Sequence, residues 1–218
     1  MFIVNFQLFV LIFLSALVFS ANIYYKDLIS KKLQIIDKIS KEKIHKKNTP
    51  LNGGFHIILI INFVFIFSII NNYNIDLILI LLGTNIFFFI GLIDDKINLN
   101  AYLKLLITAI TVIIILYISD NLIINTIYSE TFSKKYVFKI SSIFFTCLCI
   151  LLLINAINLA DGINSLVNNV ILIWLLFLQI HFNLSNYFYI ILFFLGVNSY
   201  FIYIGKYFLG DSGTLSLG

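Results

Sequence analysis

The chain alternates long apolar runs with short polar stretches from one end to the other. Most of the runs approach the roughly 20 residues that an α-helix needs to cross about 30 Å of hydrocarbon. The sequence does not show the short alternating segments of a membrane β-barrel. The pattern therefore predicts seven membrane-spanning helices, followed by the start of an eighth. The predicted spans are Phe2–Asn22, Gly54–Ile70, Ile75–Ile93, Tyr102–Ile118, Val137–Ile154, Leu166–Phe182 and Tyr187–Ile204.

The composition supports the same interpretation. Hydrophobic residues make up 61% of the chain and charged residues 11%, with a mean hydropathy of +1.05, whereas about 25% of an ordinary soluble domain is charged. We therefore expect an all-α, polytopic, integral membrane protein with no nucleic-acid partner. No repeat or linker divides the chain, so residues 1–218 are expected to form one domain. It ends as a further helix begins, and we expect the domain to be incomplete at its C-terminus.

Lysines indicate the orientation in the membrane. Between Lys26 and Lys47 there are eight Lys and only three acidic residues, and such loops stay in the cytoplasm. This predicts an N-terminus outside. Counting spans from there places four distinctive polar stretches on the cytoplasmic face: "HKKNTPLNGG" (45–54), "GLIDDKINLN" (91–100), "NAINLADGINS" (155–165) and "GDSGTLSLG" (210–218).

The second stretch carries adjacent carboxylates, Asp94 and Asp95. An acidic residue at the middle of a bilayer costs about 2.5 to 3.5 kcal/mol, so the pair belongs at an interface or in a polar cavity. Neighbouring carboxylates can gather Mg²⁺, which also accepts phosphate oxygens. The alternative is that they only mark the end of a helix. Lys104 follows at the start of the next span, where it could meet an anion or simply extend to the interface.

The third stretch places Asn155, Asn158 and Asp161 at intervals of three, on neighbouring parts of one helical face. Asn is frequent in this chain, so either amide alone could be background. In the fourth stretch, Asp211 lies between small residues, where a cation could reach it or where it could cap a helix. These acidic and amide groups are candidates for one site.

The first stretch has Gly53 and Gly54 just before a span. Glycines at a helix start allow close approach and expose N–H groups, which favour an anion. Its lysines could serve only to orient the chain, and His45 could be a solvated loop residue or a phosphate contact.

Taken in order, the four stretches resemble the polyprenyl-phosphate sugar-1-phosphate transferases. This superfamily includes undecaprenyl-phosphate N-acetylglucosamine-1-phosphate transferase (the glycosyltransferase 4 family) and phospho-N-acetylmuramoyl-pentapeptide transferase. The resemblance implies a bacterial inner-membrane enzyme with a cytoplasmic site. It would transfer an N-acetylhexosamine-1-phosphate from a UDP-sugar to undecaprenyl phosphate, with Mg²⁺ or alternatively Mn²⁺, and release UMP. That reaction would initiate a lipid-linked cell-envelope glycan. Homodimers also occur in the family.

The resemblance also assigns roles to residues of this chain. Asp94, Asp95 and Asp161 match catalytic positions, and Asp211 with Asp161 matches the metal site. The candidate substrate-binding residues are His45, Thr49, Gly53, Gly54, Lys104, Asn155, Asn158 and also Asn164, which can still form hydrogen bonds although it departs from the family pattern.

Two departures from the family pattern matter. Asn164 and Ser165 stand where the family often has an acid and a Gly, and the family's later cytoplasmic loop is absent after Gly218. The alternative function is therefore a truncated or inactive member that binds lipid or partners without turnover. Asn98, where the pentapeptide branch has a Lys, favours the N-acetylhexosamine branch.

Overall fold

The structure, a computed structural model, describes residues 2–37, 48–71, 73–129, 131, 133–138, 141–163, 165–182 and 184–218. Those residues form eight α-helices and two small antiparallel sheets. The helices are α1 (Phe2–Leu33), α2 (Gly53–Asn71), α3 (Ile75–Ile97), α4 (Ala101–Ile118), α5 (Ser142–Leu159), α6 (Leu166–Phe182), α7 (Phe188–Tyr203) and α8 (Gly210–Leu217). The sheets pair β1 (Ile36–Asp37) with β2 (Thr49–Pro50) and β3 (Thr126–Ser129) with β4 (Lys134–Val137).

Each predicted span corresponds to one of the helices α1 to α7, and α8 begins at the predicted start of an eighth. Four boundaries differ by four residues or more, and two of these are that α3 ends at Ile97 and not at Ile93, and that α5 ends at Leu159 and not at Ile154. The other two have a visible reason. Helix α1 continues past Asn22 to Leu33, because the polar residues after the apolar run also fit a helix. Helix α5 begins at Ser142 and not at Val137, which is the last residue of β4. The hairpin of β3 and β4 is rich in β-branched and aromatic residues, which favour strands.

Five helical segments are long and apolar enough to cross a membrane, within the described part of the chain: Leu8–Leu33, Gly53–Asn71, Ile75–Ile97, Ala101–Ile118 and Ser142–Gly162. Helices α6 and α7 are apolar but shorter, with 17 and 16 residues. At 1.5 Å per residue they reach roughly 25 Å. The protein is therefore a multi-pass, all-α membrane protein. Which side its N-terminus faces stays a prediction.

Helix α8 lies in a slot between α2, α3 and α5. Glycines line the slot. A Cβ added to Gly91 of α3 would lie 2.3 Å from the carbonyl oxygen of Asp211, and one added to Gly54 of α2 would lie 2.5 Å from the backbone nitrogen of Gly213. Only glycine permits such close approach of two backbones. The slot therefore fixes Asp211 beside the C-terminal end of α3.

Candidate active site

The turn between α3 and α4 brings a carboxylate and an amine together. Helix α3 ends where Asn98 adopts a left-handed conformation (φ 50°), which Asn tolerates better than most residues. The N–H of Leu99 donates to Oδ1 of Asp94 at 2.7 Å. Asn100 caps α4, since its side chain accepts from the N–H two residues on at 3.1 Å. This short turn sets Lys104, on the first turn of α4, against Asp94.

Lys104 is the centre of the site. Its Nζ lies 2.5 Å from Oδ2 of Asp94 and 3.6 Å from Oδ1 of Asp211. The oxygen of the Asn158 amide accepts from the same Nζ at 3.1 Å. The Lys104 and Asp94 side chains are only 14% and 8% exposed, whereas that of Asp211 is 37% exposed. Three of the four polar stretches therefore meet around one ammonium group, as the sequence predicted.

The Asn158 amide connects α5 to α8. Its nitrogen donates to Oγ1 of Thr214 and to Oδ1 of Asp211, each at 2.6 Å. The amide is assigned in this orientation because the opposite one would turn its oxygen toward acceptors alone. The hydroxyl of Thr214 then donates a hydrogen bond to the backbone carbonyl oxygen of Asp211 at 3.2 Å. The end of α5 is thus tied to the carboxylate at the start of α8.

Asp95 holds the N-terminus of α8. Its Oδ1 accepts from the N–H of Asp211 at 2.7 Å, and its Oδ2 accepts from the N–H of Ser212 at 3.0 Å. Gly210 enters the helix with φ +76°, and a Cβ added to it would lie 2.9 Å from Oδ2 of Asp95. A negative charge at a helix N-terminus is stabilising. Asp95 is therefore a capping residue supplied by another helix.

The two adjacent carboxylates, Asp94 and Asp95, contact different parts of the protein. Consecutive residues on a helix point about 100° apart, so Asp94 faces Lys104 on α4 while Asp95 faces α8. The two carboxylates thus have different partners within the protein, and the hypothesis that both gather one cation stays a prediction. Their catalytic roles stay predictions.

Asp161 lies in the 3-10 turn Ala160–Gly162 that follows α5. Its side chain makes no hydrogen bond or ion pair with any residue that the structure describes. The charges of Asp211 and Asp95 both act on it, so the three carboxyl groups share one region. A carboxylate with no hydrogen-bond partner among the described residues is a suitable cation ligand.

Asp211 itself lies in the first turn of α8. Burial raises the pKa of its carboxyl above the ordinary value; the nearby Lys104 opposes this shift and the charge of Asp94 adds to it. The site holds four Asp carboxylates against the single ammonium of Lys104, a formal excess of three negative charges. A bound cation would offset that excess.

The donor set fits Mg²⁺. No group of three His, Cys, Asp or Glu side chains is arranged to hold a metal in the described residues. Mg²⁺ does not need one, because it binds through one or two carboxylates and fills its other positions with waters and substrate phosphates. Asp211 and Asp161 are the carboxylates that could hold it, since Asp94 is paired with Lys104 and Asp95 caps α8.

The first polar stretch packs against the segment that carries Asp211. The N–H groups of Gly53 and Gly54 donate to the carbonyl oxygens of Phe208 and Leu209, at 2.9 and 3.0 Å. Both N–H groups are therefore paired within the protein and are not available to an anion. Both glycines are buried against the segment that leads into α8. A substrate-binding role for them stays a prediction.

Other candidates lie apart from the Lys104 network. Asn155 donates to the carbonyl of Leu151, one turn back in its own helix, at 2.7 Å. Thr49 is buried and pairs with Asp37 in the small sheet of β1 and β2. His45 and Asn164 lie outside the described residues.

Sequence reasoning missed two residues of this region. Thr214 lies three positions after Asp211, on the same side of α8, and that spacing was the available signal. Tyr207 is fully buried, and its hydroxyl donates to Oδ1 of Asn198 at 2.7 Å while its ring packs 4.6 Å from His56. It anchors the segment before α8, and no pattern in the sequence pointed to it.

Comparison with known proteins gives relatives from both branches of one superfamily. Phospho-N-acetylmuramoyl-pentapeptide-transferase from Prochlorococcus marinus subsp. pastoris is 29% identical over 218 aligned residues, covering 87% of this chain and 59% of that protein. Undecaprenyl-phosphate alpha-N-acetylglucosaminyl 1-phosphate transferase is 27% identical in Escherichia coli O157:H7 and 26% identical in strain K12. Each of these two matches covers 66% of this chain and 38% of the relative.

The chain thus spans about three fifths or less of the length of these relatives. A family model, glycosyl transferase family 4, matches residues 77–218. The matched region includes the Lys104 network and all four of its carboxylates. Because this match covers more than half of the chain, the chain belongs to glycosyl transferase family 4.

Proposed function

We propose that this protein transfers a sugar-1-phosphate from a UDP-sugar to undecaprenyl phosphate and releases UMP. The donor we favour is UDP-N-acetylglucosamine or another UDP-N-acetylhexosamine. The observation that carries the proposal is the position of Lys104, whose ammonium group meets Asp94, Asn158 and Asp211 from three separate helices. The relatives' names, which describe transfer to undecaprenyl phosphate or of phospho-N-acetylmuramoyl-pentapeptide, support it.

The charges suit a phosphate reaction. Phosphoryl transfer requires positioning and charge neutralisation more than covalent help from the protein. Lys104 supplies a fixed cation, while Asp211 and Asp161 would hold Mg²⁺. Mn²⁺ is the alternative ion. When bound, Mg²⁺ would neutralise the diphosphate of the donor and the charge on the leaving phosphate. Without a cation, an anionic substrate would meet a site with excess negative charge.

The reaction we propose is a single in-line displacement. An oxygen of the lipid phosphate forms a bond to the phosphorus that carries the sugar. The bond from that phosphorus to the oxygen bridging the two donor phosphates breaks, and UMP leaves with that oxygen. Lys104 neutralises phosphate charge during this transfer. Asn158 holds the carboxylate of Asp211 in place, Thr214 bonds to its backbone carbonyl oxygen, and Asp95 caps the helix that carries it.

The test measures two products. Purified protein is incubated with undecaprenyl phosphate, Mg²⁺ and one of three labelled donors: UDP-N-acetylglucosamine, UDP-N-acetylgalactosamine or UDP-N-acetylmuramoyl-pentapeptide. We expect a lipid-linked sugar and an equal amount of UMP. Release of UDP would indicate transfer of the sugar alone. A folded protein that forms no lipid product with any donor would instead support a member that binds lipid or partners without turnover, the alternative that Asn164 motivates.

A matched pair of lysine variants separates site chemistry from general charge. Lys104→Gln is expected to lower kcat/KM at least a hundredfold, since one charged hydrogen bond to a transition state is worth about 3 kcal/mol. Lys206→Gln removes an exposed Lys whose Nζ lies 4.7 Å from the ring of Phe201. That variant is expected to keep wild-type activity. Equal losses of kcat/KM in the two variants would show that Lys104 has no specific role in the reaction.

Only the comparison of donors can identify the sugar that is transferred. The backbone conformation at residue 98 by itself favours Asn, whatever the donor. Its φ of 50° is left-handed, and Asn is among the few residues that tolerate it. The residue therefore says less about the sugar than the sequence pattern suggested. We also propose that the protein lies in a bacterial inner membrane with its site on the cytoplasmic side, and that it forms a homodimer.

A further inference from the structure

Ser165 adopts an unusual backbone conformation just after the turn that carries Asp161. Its φ is +69°, in the left-handed region that glycine favours. It is also only 6% exposed. A buried Ser in this conformation persists only when its surroundings hold it there. The contacts of its hydroxyl group show what does so.

Three polar side chains close a ring at this point. Oγ of Ser165 lies 2.6 Å from Oγ of Ser199 and 3.1 Å from the carbonyl oxygen of Ser199. Ser199 donates to Oδ1 of Asn169 at 2.6 Å, and the Asn169 amide returns to Oγ of Ser165 at 3.4 Å. We call Ser165, Asn169 and Ser199 the polar clasp. It ties the start of α6 to α7.

The clasp and the Asn158 amide bracket Asp161 along the chain. Before Asp161, Asn158 is fixed to Asp211 and Thr214 of α8. After it, Ser165 is fixed to α7. The carboxylate between these anchors has no hydrogen bond of its own to any described residue, so its position depends on the backbone on either side. A shift of the later anchor would move Asp161 relative to Asp211.

We propose that the polar clasp is a positioning device for Asp161: it sets the distance from that carboxylate to Asp211 and hence the affinity of the pair for a divalent cation. The inference rests on the proposed function only in taking these two residues as the cation ligands. Ser165 could be replaced by Gly with less backbone strain, so the hydroxyl and its partners on α7 are the feature that matters. Supporting groups of this kind orient metal ligands in many proteins.

The test uses Mn²⁺ as a probe and needs no substrate. Free Mn²⁺ is titrated by electron paramagnetic resonance against the purified full chain in detergent. The variants are Ser165→Gly, Ser199→Ala and the double variant, with Asp161→Asn to show that the measured site includes Asp161. The control is Ser15→Ala, because Ser15 is fully buried and its one hydrogen bond among the described residues is to the carbonyl of Ile12 in its own helix, at 2.8 Å.

We expect Ser165→Gly and Ser199→Ala each to raise the Mn²⁺ dissociation constant roughly fivefold to tenfold. The double variant should be within about twofold of the weaker single variant, since both changes break the same ring. Ser15→Ala should bind like wild type. The unfolding temperature of Ser165→Gly should change little, because relief of strain offsets the lost bonds.

Wild-type affinity in both single variants would overturn the proposal, and so would a fall in unfolding temperature with no change in affinity. A wild type that binds no Mn²⁺ would overturn it as well. A wild type that binds Mn²⁺ but forms no lipid-linked sugar would defeat the proposed function alone. In that case the affinities of the variants still decide whether the clasp positions Asp161.

Discussion

The buried ion pair between Lys104 and Asp94 should be the most stability-sensitive contact of the site. Its atoms lie 2.5 Å apart, and neither side chain is more than 14% exposed. Removing one partner of a buried pair costs about 3 to 5 kcal/mol, because the other charge stays buried without compensation. Lys104→Met keeps the length of the side chain and removes the charge. We therefore expect it to lower the free energy of unfolding by about 3 kcal/mol or more.

Asp94→Asn should cost less. The ammonium of Lys104 would still have the Asn158 oxygen at 3.1 Å and the Asp211 carboxylate at 3.6 Å, so it would not be left unpaired. A loss of about 1 to 3 kcal/mol is expected. The double variant should cost less than the two single losses added together, by roughly 1 to 3 kcal/mol. Denaturant unfolding in mixed micelles, followed by far-UV circular dichroism, measures all three changes.

The control for this cycle is Lys206→Met, which removes an exposed cation over the Phe201 ring and should cost about 0.5 to 1 kcal/mol. Additive losses for Lys104→Met and Asp94→Asn would refute the reasoning, because they would show that the two charges do not interact. So would a Lys104→Met loss no larger than that of the control.

Three further changes test the support of α8. Gly91→Ala places a methyl group 2.3 Å from a backbone oxygen of α8 and should abolish folding or activity, whereas Gly196→Ala meets only a Leu methyl at 3.5 Å and should be tolerated in both assays. Asp95→Asn leaves one acceptor for two backbone N–H groups, so unfolding free energy should fall by about 1 to 3 kcal/mol, and an unchanged value would remove its capping role. Tyr207→Phe leaves the buried amide of Asn198 without its donor and should cost about 1 to 3 kcal/mol in the same unfolding measurement, with little loss expected only if water replaces the hydroxyl.

Hydropathy was sufficient to predict the helices, because a run of apolar residues near 20 has few other stable arrangements in a bilayer. It failed where apolarity was not the deciding factor. Helix α1 continues for a further 11 residues after Asn22, through a Lys-containing segment that stays helical to Leu33. Val137 ends a strand and does not begin α5, since residues 134–137 pair with residues 126–129. Cross-strand pairing joins residues that are separated along the sequence, and hydropathy within one segment does not predict it.

The meeting of Asp94, Asn158 and Asp211 around Lys104 followed from counting spans, because loops on one side of a helical bundle are neighbours. The different partners of Asp94 and Asp95 were not predicted, although consecutive residues on a helix point about 100° apart. Their partners depend on where α4 and α8 pack, and the sequence did not specify those positions. Asn155 shows the converse: correct spacing on a helix face did not place it in the Lys104 network, since its amide bonds to its own helix.

The glycines of the first polar stretch and of α3 allow α8 to pack closely, and this differs from the anion-binding role expected for Gly53 and Gly54. Gly53 and Gly54 looked suited to hold an anion with free N–H groups, yet those groups pair with Phe208 and Leu209, directly before α8. Gly91 then lets the helix lie against α3, where Asp95 caps it. Each of these contacts fixes the backbone at Asp211, so assembly of the slot and assembly of the charged site are the same event. A substitution that fills the slot should therefore remove activity and stability together, whereas loss of Lys104 should remove activity even where the helix still docks.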